Sequence, residues 1–96
     1  MIKAEIVKKI AKQTKVEQSE VLEIVEAFME KVKNSLAEGK NIYLRDFGTF
    51  FIKHRAEKAA RIISKDKAII IPAHLIPYFK PNKEFVEIVK IANNKD

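Results

Sequence analysis

Residues 41–82, NIYLRDFGTFFIKHRAEKAARIISKDKAIIIPAHLIPYFKPN, hold the pattern that decides the fold. Apolar residues alternate here with a period of two, the signature of half-buried strands. Ile42 and Leu44 lie on one face of a short strand, Asp46-Phe47-Gly48-Thr49 turns the chain, and Phe50 and Ile52 resume the inward pattern. The alternation then loses its apolar partner: residues 53–67 carry charges at Lys53, Arg55, Glu57, Lys58, Arg61, Lys65, Asp66 and Lys67. Such a stretch has no face to bury against its own domain and reads as a protruding hairpin arm. Ile69, Ile70 and Ile71 restore strand character, and Pro72 and Pro77 are expected to close the sheet, since proline cannot occupy a central ladder position. The same alternation sets Ile69 and Ile71 on the core face with Phe50 and Ile52. Phe51 and Ile70 fall on the opposite face.

Helical periods flank this segment. Ile2, Ile6, Val7 and Ile10 recur at helical spacing with Lys8, Lys9 and Lys12 opposite, which predicts an amphipathic helix over the first dozen residues. Val21, Val25, Phe28, Met29, Val32 and Leu36 make the apolar stripe of a second helix, ending where Gly39 supplies a C-terminal cap. Thr14, with Glu17 three residues on, and Ser19 both qualify as its N-cap. A last short helix follows Asn82, a favourable N-cap, with Phe85, Ile88 and Val89 along its apolar edge. The order helix, helix, three strands with an arm, helix defines an α+β domain.

The 96 residues make one domain, and 47% apolar with 33% charged residues is the profile of a folded chain. Cysteine is absent, which excludes disulfides and thiolate metal sites. The charges at Lys3, Glu5, Lys8 and Lys9 interrupt anything resembling a signal-peptide core, and the longest uncharged run, Ala68 to Phe79, is too short to span a bilayer. An intracellular, cytoplasmic protein is expected. One apolar helix and a charged arm leave too little material to close a core within one chain, so a dimer is expected. Its shared core is placed at Phe47, Phe50 and Phe79 with Phe28 and Val32 of the second helix.

The net charge of +6 is unevenly placed. Residues 1–38 hold 7 Lys/Arg and 7 Asp/Glu, residues 39–83 hold 10 and 3, and residues 84–96 hold 2 and 3. The middle segment carries the whole excess, as a polyanion-binding face would; the other reading is a solubilising excess. No catalytic pattern competes. His54 and His74 have no nearby carboxylate cluster or metal-ligand spacing; Ser19, Ser35 and Ser64 have no nucleophile motif; Gly39 and Gly48 cannot form a phosphate-cradling loop. Neither an enzyme nor a cofactor or metal site is expected.

Phe47-Gly48-Thr49-Phe50, followed without gaps by Arg55-Ala56, Arg61, Lys67, Ile69, Ile71-Pro72-Ala73, Pro77, Phe79-Lys80-Pro81 and Lys83, resembles the bacterial HU/IHF-type histone-like proteins over nearly the whole chain. The resemblance implies an intertwined dimer: two N-terminal helices, a three-stranded antiparallel sheet with a protruding β-arm, and a short C-terminal helix. Within the single domain 1–96, it divides the chain into a helical dimerisation part (1–39), a sheet (40–79) with the arm at about 53–69, and a final helix at 82–92. It implies architectural, largely sequence-nonspecific binding and bending of duplex DNA in the nucleoid, with the arms in the minor groove. Lys53, Arg55, Lys58, Arg61, Lys65 and Lys67 on the arm would meet phosphates and groove edges. Lys80 and Lys83 would meet phosphate near the N-terminus of the last helix. The implied partners are double-stranded DNA and a second copy of the chain, or a paralogue in its place; no membrane or small-molecule substrate is implied.

Two departures bear on function. Family members usually carry Arg-Asn-Pro at the arm tip, the proline wedging between base pairs, where this chain has Arg61-Ile62-Ile63. Either Ile62 or Ile63 takes the wedge role, isoleucine being a known intercalating side chain, or both pack within the arm and bending is weak. The second departure is apolar Phe51 and Ile70 on the face expected to look toward DNA. They are covered by the arm, touch sugar edges, or mark a different ligand. The alternative function is therefore an interaction module of the same fold, its altered arm binding RNA or protein with little DNA bending.

Overall fold

The computed structural model describes residues 1–62 and 67–94. Helix α1 spans Lys3–Thr14 and helix α2 Gln18–Ala37. Val7 and Val21, 2% and 4% exposed, are the only buried side chains among the described residues, one from each helix. The chain leaves α1 through a left-handed Lys15 (φ 65°), whose N–H donates to the Ala11 carbonyl at 2.9 Å. Neither expected N-cap of α2 serves. Thr14 is the last residue of α1 and its hydroxyl donates back to the Ile10 carbonyl (2.7 Å), while Ser19 lies inside the first turn of α2; Glu17 takes the cap position without a side-chain bond. The C-terminus follows the expectation. Gly39 adopts φ 81°, its N–H donates to Leu36 and the Lys40 N–H donates to Ser35, the paired bonds of a Schellman cap.

Strands β1 (Ile42–Leu44), β2 (Gly48–Arg55) and β5 (His74–Pro81) form an antiparallel sheet in the order β1-β2-β5. Strands β3 (Lys58–Ile62) and β4 (Lys67–Ile71) form a separate two-stranded ladder, the arm. This arrangement corrects two expectations. Lys53 and Arg55 lie on β2, paired with β5 within the sheet, and not on the arm, whose ladder starts at Lys58. Ile69, Ile70 and Ile71 lie on the arm opposite Ala60, Ala59 and Lys58, not on the sheet, and the third sheet strand starts only after Pro72. Pro77 therefore lies within β5, opposite Ile52. It is tolerated there because β5 is an edge strand, and because Ile52 directs its N–H to the other side, to the Asn41 side-chain oxygen (3.4 Å).

The corner between β1 and β2 is narrow. Asp46 adopts a left-handed φ of 65° and the Phe47 N–H donates to Leu44 at 3.0 Å, which delivers Gly48 opposite Pro81. A methyl group on Gly48 would lie 2.5 Å from the Lys80 carbonyl oxygen and 2.6 Å from Phe79 Cζ. Only glycine fits. Above this corner Phe79 packs at a tilt against Phe50 (ring centroids 4.8 Å apart) and Phe47 (5.1 Å), and Phe85 of helix α3 (Lys83–Asn93) closes the group, stacked on Phe47 at 5.3 Å. Asn82 fixes α3 to the sheet: its side chain accepts from the Phe85 N–H (2.8 Å) and its own N–H donates to the Phe47 carbonyl (2.9 Å).

A single chain remains unfinished. Its radius of gyration of 18.8 Å compares with about 12.5 Å for a compact domain of this length. Gly48→Ala is expected to destabilise the fold by about 1–3 kcal/mol through backbone displacement at the corner, and Asn82→Ala by about 1 kcal/mol through loss of the cap. Thermal denaturation followed by circular dichroism reads both; a Gly48→Ala protein as stable as the parent would contradict the packing described.

Candidate nucleic-acid interface

The β2–β5 register sorts the sheet into two faces. Phe50 opposite Phe79, and Ile52 opposite Pro77, point to the side of α2, where Val32 and Leu36 line a cavity of about 490 Å³ with Ile52, Leu75 and Pro77. Successive side chains alternate, so the other face carries Thr49 opposite Lys80, Phe51 opposite Tyr78, Lys53 opposite Ile76, and Arg55 opposite His74, with Tyr43 beyond Thr49 on β1. None of these outer-face residues is acidic.

The expected cations are distributed along this face and its continuation. Lys53 is half-buried, with its Nζ 4.3 Å from the centre of the Tyr78 ring, a cation–π contact. Arg55 is exposed at the end of β2, Lys58 is exposed at the start of the arm, and Lys80 is exposed near the end of β5. Lys83, also exposed, is the first residue of α3, next to the capped helix N-terminus. Among the described residues the ion pairs are Lys3–Glu26 (3.1 Å) and Lys40–Glu38 (3.4 Å), neither of which includes a cation of this surface. Its cations are thus not neutralised by carboxylates in those pairs. Arg61 and Lys67 are placed by backbone register, opposite Ala68 and Ile62. Lys65 lies outside the described residues. Of the two wedge candidates, Ile62 is the final residue of β3 and Ile63 lies outside the described residues.

Phe51 and Ile70 are both off the core face but are not neighbours. Phe51 packs beside Tyr78, ring centroids 5.5 Å apart, whereas Ile70 is 68% exposed on the arm. Sequence reading missed Tyr78 and Tyr43 on the outer face, because their facing depends on the strand register that Pro77 obscured. His54 and His74 lie at the base of the arm, the latter with Nδ1 2.9 Å from the Pro72 carbonyl oxygen. Among the described residues no three His, Cys, Asp or Glu side chains stand together as metal ligands would.

The dimer-core candidates split between two places. Phe47, Phe50 and Phe79 meet in the aromatic group above the corner, and Phe28 and Val32 lie on α2. Phe28 is 45% and Phe47 43% exposed, with Leu22, Ile24 and Met29 also open on α2. Apolar exposure on this scale marks a surface that another protein surface covers.

Comparison with known proteins agrees with the geometry. The family model for bacterial DNA-binding proteins matches residues 1–90. Integration host factor subunit beta of Marinobacter nauticus is 38% identical over 96 residues, covering 99% of this chain and 98% of that protein. DNA-binding protein HU of Staphylococcus aureus is 34% identical over 90 residues, covering 94% and 100%. Among solved structures, the chain in an Anabaena HU–DNA cocrystal superposes with a TM-score of 0.88 at 27% identity, over 93% of this chain and 97% of that one. An HU variant from Thermotoga maritima gives 0.71 at 26% identity, over 94% and 100%. The chain belongs to the bacterial DNA-binding protein family, the HU/IHF group of dimeric, nucleoid-associated architectural proteins. These relatives support architectural DNA binding and do not favour the RNA- or protein-binding module. Nor is the family known for catalysis. No helix among the described residues is long and apolar enough to cross a membrane.

Sedimentation velocity is expected to give a particle of twice the 11.1 kDa chain mass. Phe28→Glu, which sets a charge on the open face of α2, is expected to dissociate it and abolish cooperative melting; a protein that stays monomeric at all concentrations contradicts the shared core.

Proposed function

We propose that two copies of this chain interlock through their open apolar faces and present two outer sheet faces and two arms to duplex DNA, binding and bending it with little regard to sequence. Lys53 and Arg55 at the end of β2, and Lys58, Arg61, Lys65 and Lys67 beyond them, contact phosphates and groove edges, and Lys80 and Lys83 hold phosphate beside α3. A phosphate near Lys83 also gains from the free N–H groups and positive end of the α3 dipole. The observation that carries this reading is a sheet face that holds Lys53, Arg55 and Lys80 and no carboxylate, continuing into the arm at Lys58. The role is architectural and involves no reaction. Its place is the bacterial cytoplasm, on the nucleoid.

Two experiments test this reading. Affinity for a random-sequence duplex is expected to fall linearly on a log–log plot against salt. Arg55→Ala or Lys80→Ala should each lower the slope by about two per dimer, one per cation removed. A slope unchanged by either substitution removes the phosphate contacts. At the arm tip, Ile63→Ala, or Ile62→Ala, is expected to reduce the bend measured by end-to-end fluorescence transfer, because an apolar wedge unstacks a base step and kinks the duplex. An unchanged angle and affinity in both variants assigns these isoleucines to the arm itself.

A further inference from the structure

A surface that only held phosphate would need cations, yet the middle of the outer sheet face is aromatic. Phe51 and Tyr78 face each other across the β2–β5 ladder with their rings inclined at 58°, and Tyr78 is 41% exposed. Tyr43, on the same face of β1, is 75% exposed. Cations stand on both sides of the pair: Lys80, opposite Thr49, toward the corner, and Lys53 and Arg55 toward the arm. The bases of an intact duplex are stacked on one another and offer only their edges to a protein. Unpaired bases offer their faces, and base–aromatic stacking beside a cationic track is the general basis of single-strand binding.

We propose that this face is a stacking site for unpaired bases of single-stranded DNA, with Tyr78 and Phe51 as the platform and Lys53, Arg55 and Lys80 as the backbone contacts. The proposal rests on the reading of this face as the phosphate-facing surface. Lys53 has two roles in it. Without a strand its ammonium lies over the face of Tyr78 at 4.3 Å, covering a ring that is still 41% exposed, so a base must displace it to stack there. When a base takes that face, the ammonium is released to the phosphate of the same nucleotide, so the cation–π contact is exchanged for a stack and a charge-assisted contact. The absence of carboxylates on this face favours an anionic ligand such as a nucleic-acid strand over a basic or neutral partner surface.

The chain has no Trp and only two Tyr, Tyr43 and Tyr78, so in a Tyr43→Phe background the tyrosine emission reports Tyr78 alone. Full-length protein is titrated with an oligothymidine of about 12 nucleotides, within the usual span of such sites, and separately with a duplex of that length and with the matching RNA. Quenching of Tyr78 by the single DNA strand is expected. Tyr78→Leu and, independently, Phe51→Leu should weaken single-strand binding about tenfold, as the loss of one base stack does, with duplex affinity nearly unchanged and Tyr78→Phe retaining the parent affinity. Absence of quenching, single-strand affinity unmoved by both leucine variants that melt like the parent, or an RNA bound tenfold more tightly than the DNA strand each overturn the proposal. If the duplex also fails to bind in dilute salt, the reading of the whole surface fails; if duplex binding stands and the single strand is ignored, the stacking site alone is lost.

Discussion

The bare backbone at Gly48 governs the rest of the structure. With no side chain there, the first residue of β2 lies against the Lys80 carbonyl and the Phe79 ring. That approach fixes the register in which Phe50 meets Phe79 and Phe51 meets Tyr78. A slip of one residue would exchange the faces, sending the phenylalanine cluster outward and Lys53 and Arg55 toward α2. The same corner anchors α3, because Asn82 follows Pro81, which stands opposite Gly48, and donates to Phe47. Core, cationic face and final helix thus share one geometric origin.

Much of this was readable from the residues because the controlling signals are local. The alternation from Ile42 to Ile52, the stripe of α2, the cap at Gly39 and the cap at Asn82 each depend on chain neighbours within a turn or a few residues. The failures have equally definite causes. Thr14 and Ser19 are both good capping residues, but the choice of helix start lay with the left-handed exit of α1 at Lys15, which composition does not show. The isoleucine run at residues 69–71 has the composition of a core strand, yet the ladder breaks at Pro72 and leaves the run on the arm. Pro77 is permitted inside a strand only because β5 is at an edge, a property of sheet order and not of local sequence. That error hid Tyr78 and therefore half of the aromatic pair beside Lys53. The cations themselves were conspicuous in the sequence; which of them share a face was knowable only from the register.

The exposed apolar surface has a matching explanation in chain economy. A chain of this size that spends residues on a charged arm and on an outward-facing sheet surface cannot also enclose its own helices. Among the described residues, Val7 and Val21 are the side chains that one copy buries unaided. Folding and assembly are consequently one equilibrium in such a protein, and its apparent stability depends on its own concentration.

The ladder is interrupted at Ala56–Glu57 on one strand and at Pro72–Ala73 on the other, so the arm joins the body through two pairs of residues outside either sheet. Pro72 lacks the N–H that a continuous ladder would use there. A joint of this kind separates two mechanical properties that an unbroken sheet would couple: how firmly the body grips and which way the extension points. Curvature of the bound polymer can then be set by the polymer's own stiffness as much as by the protein, at the cost of fixing the joint on each binding event. One scaffold can in this way accept straight and sharply curved helices without refolding its core.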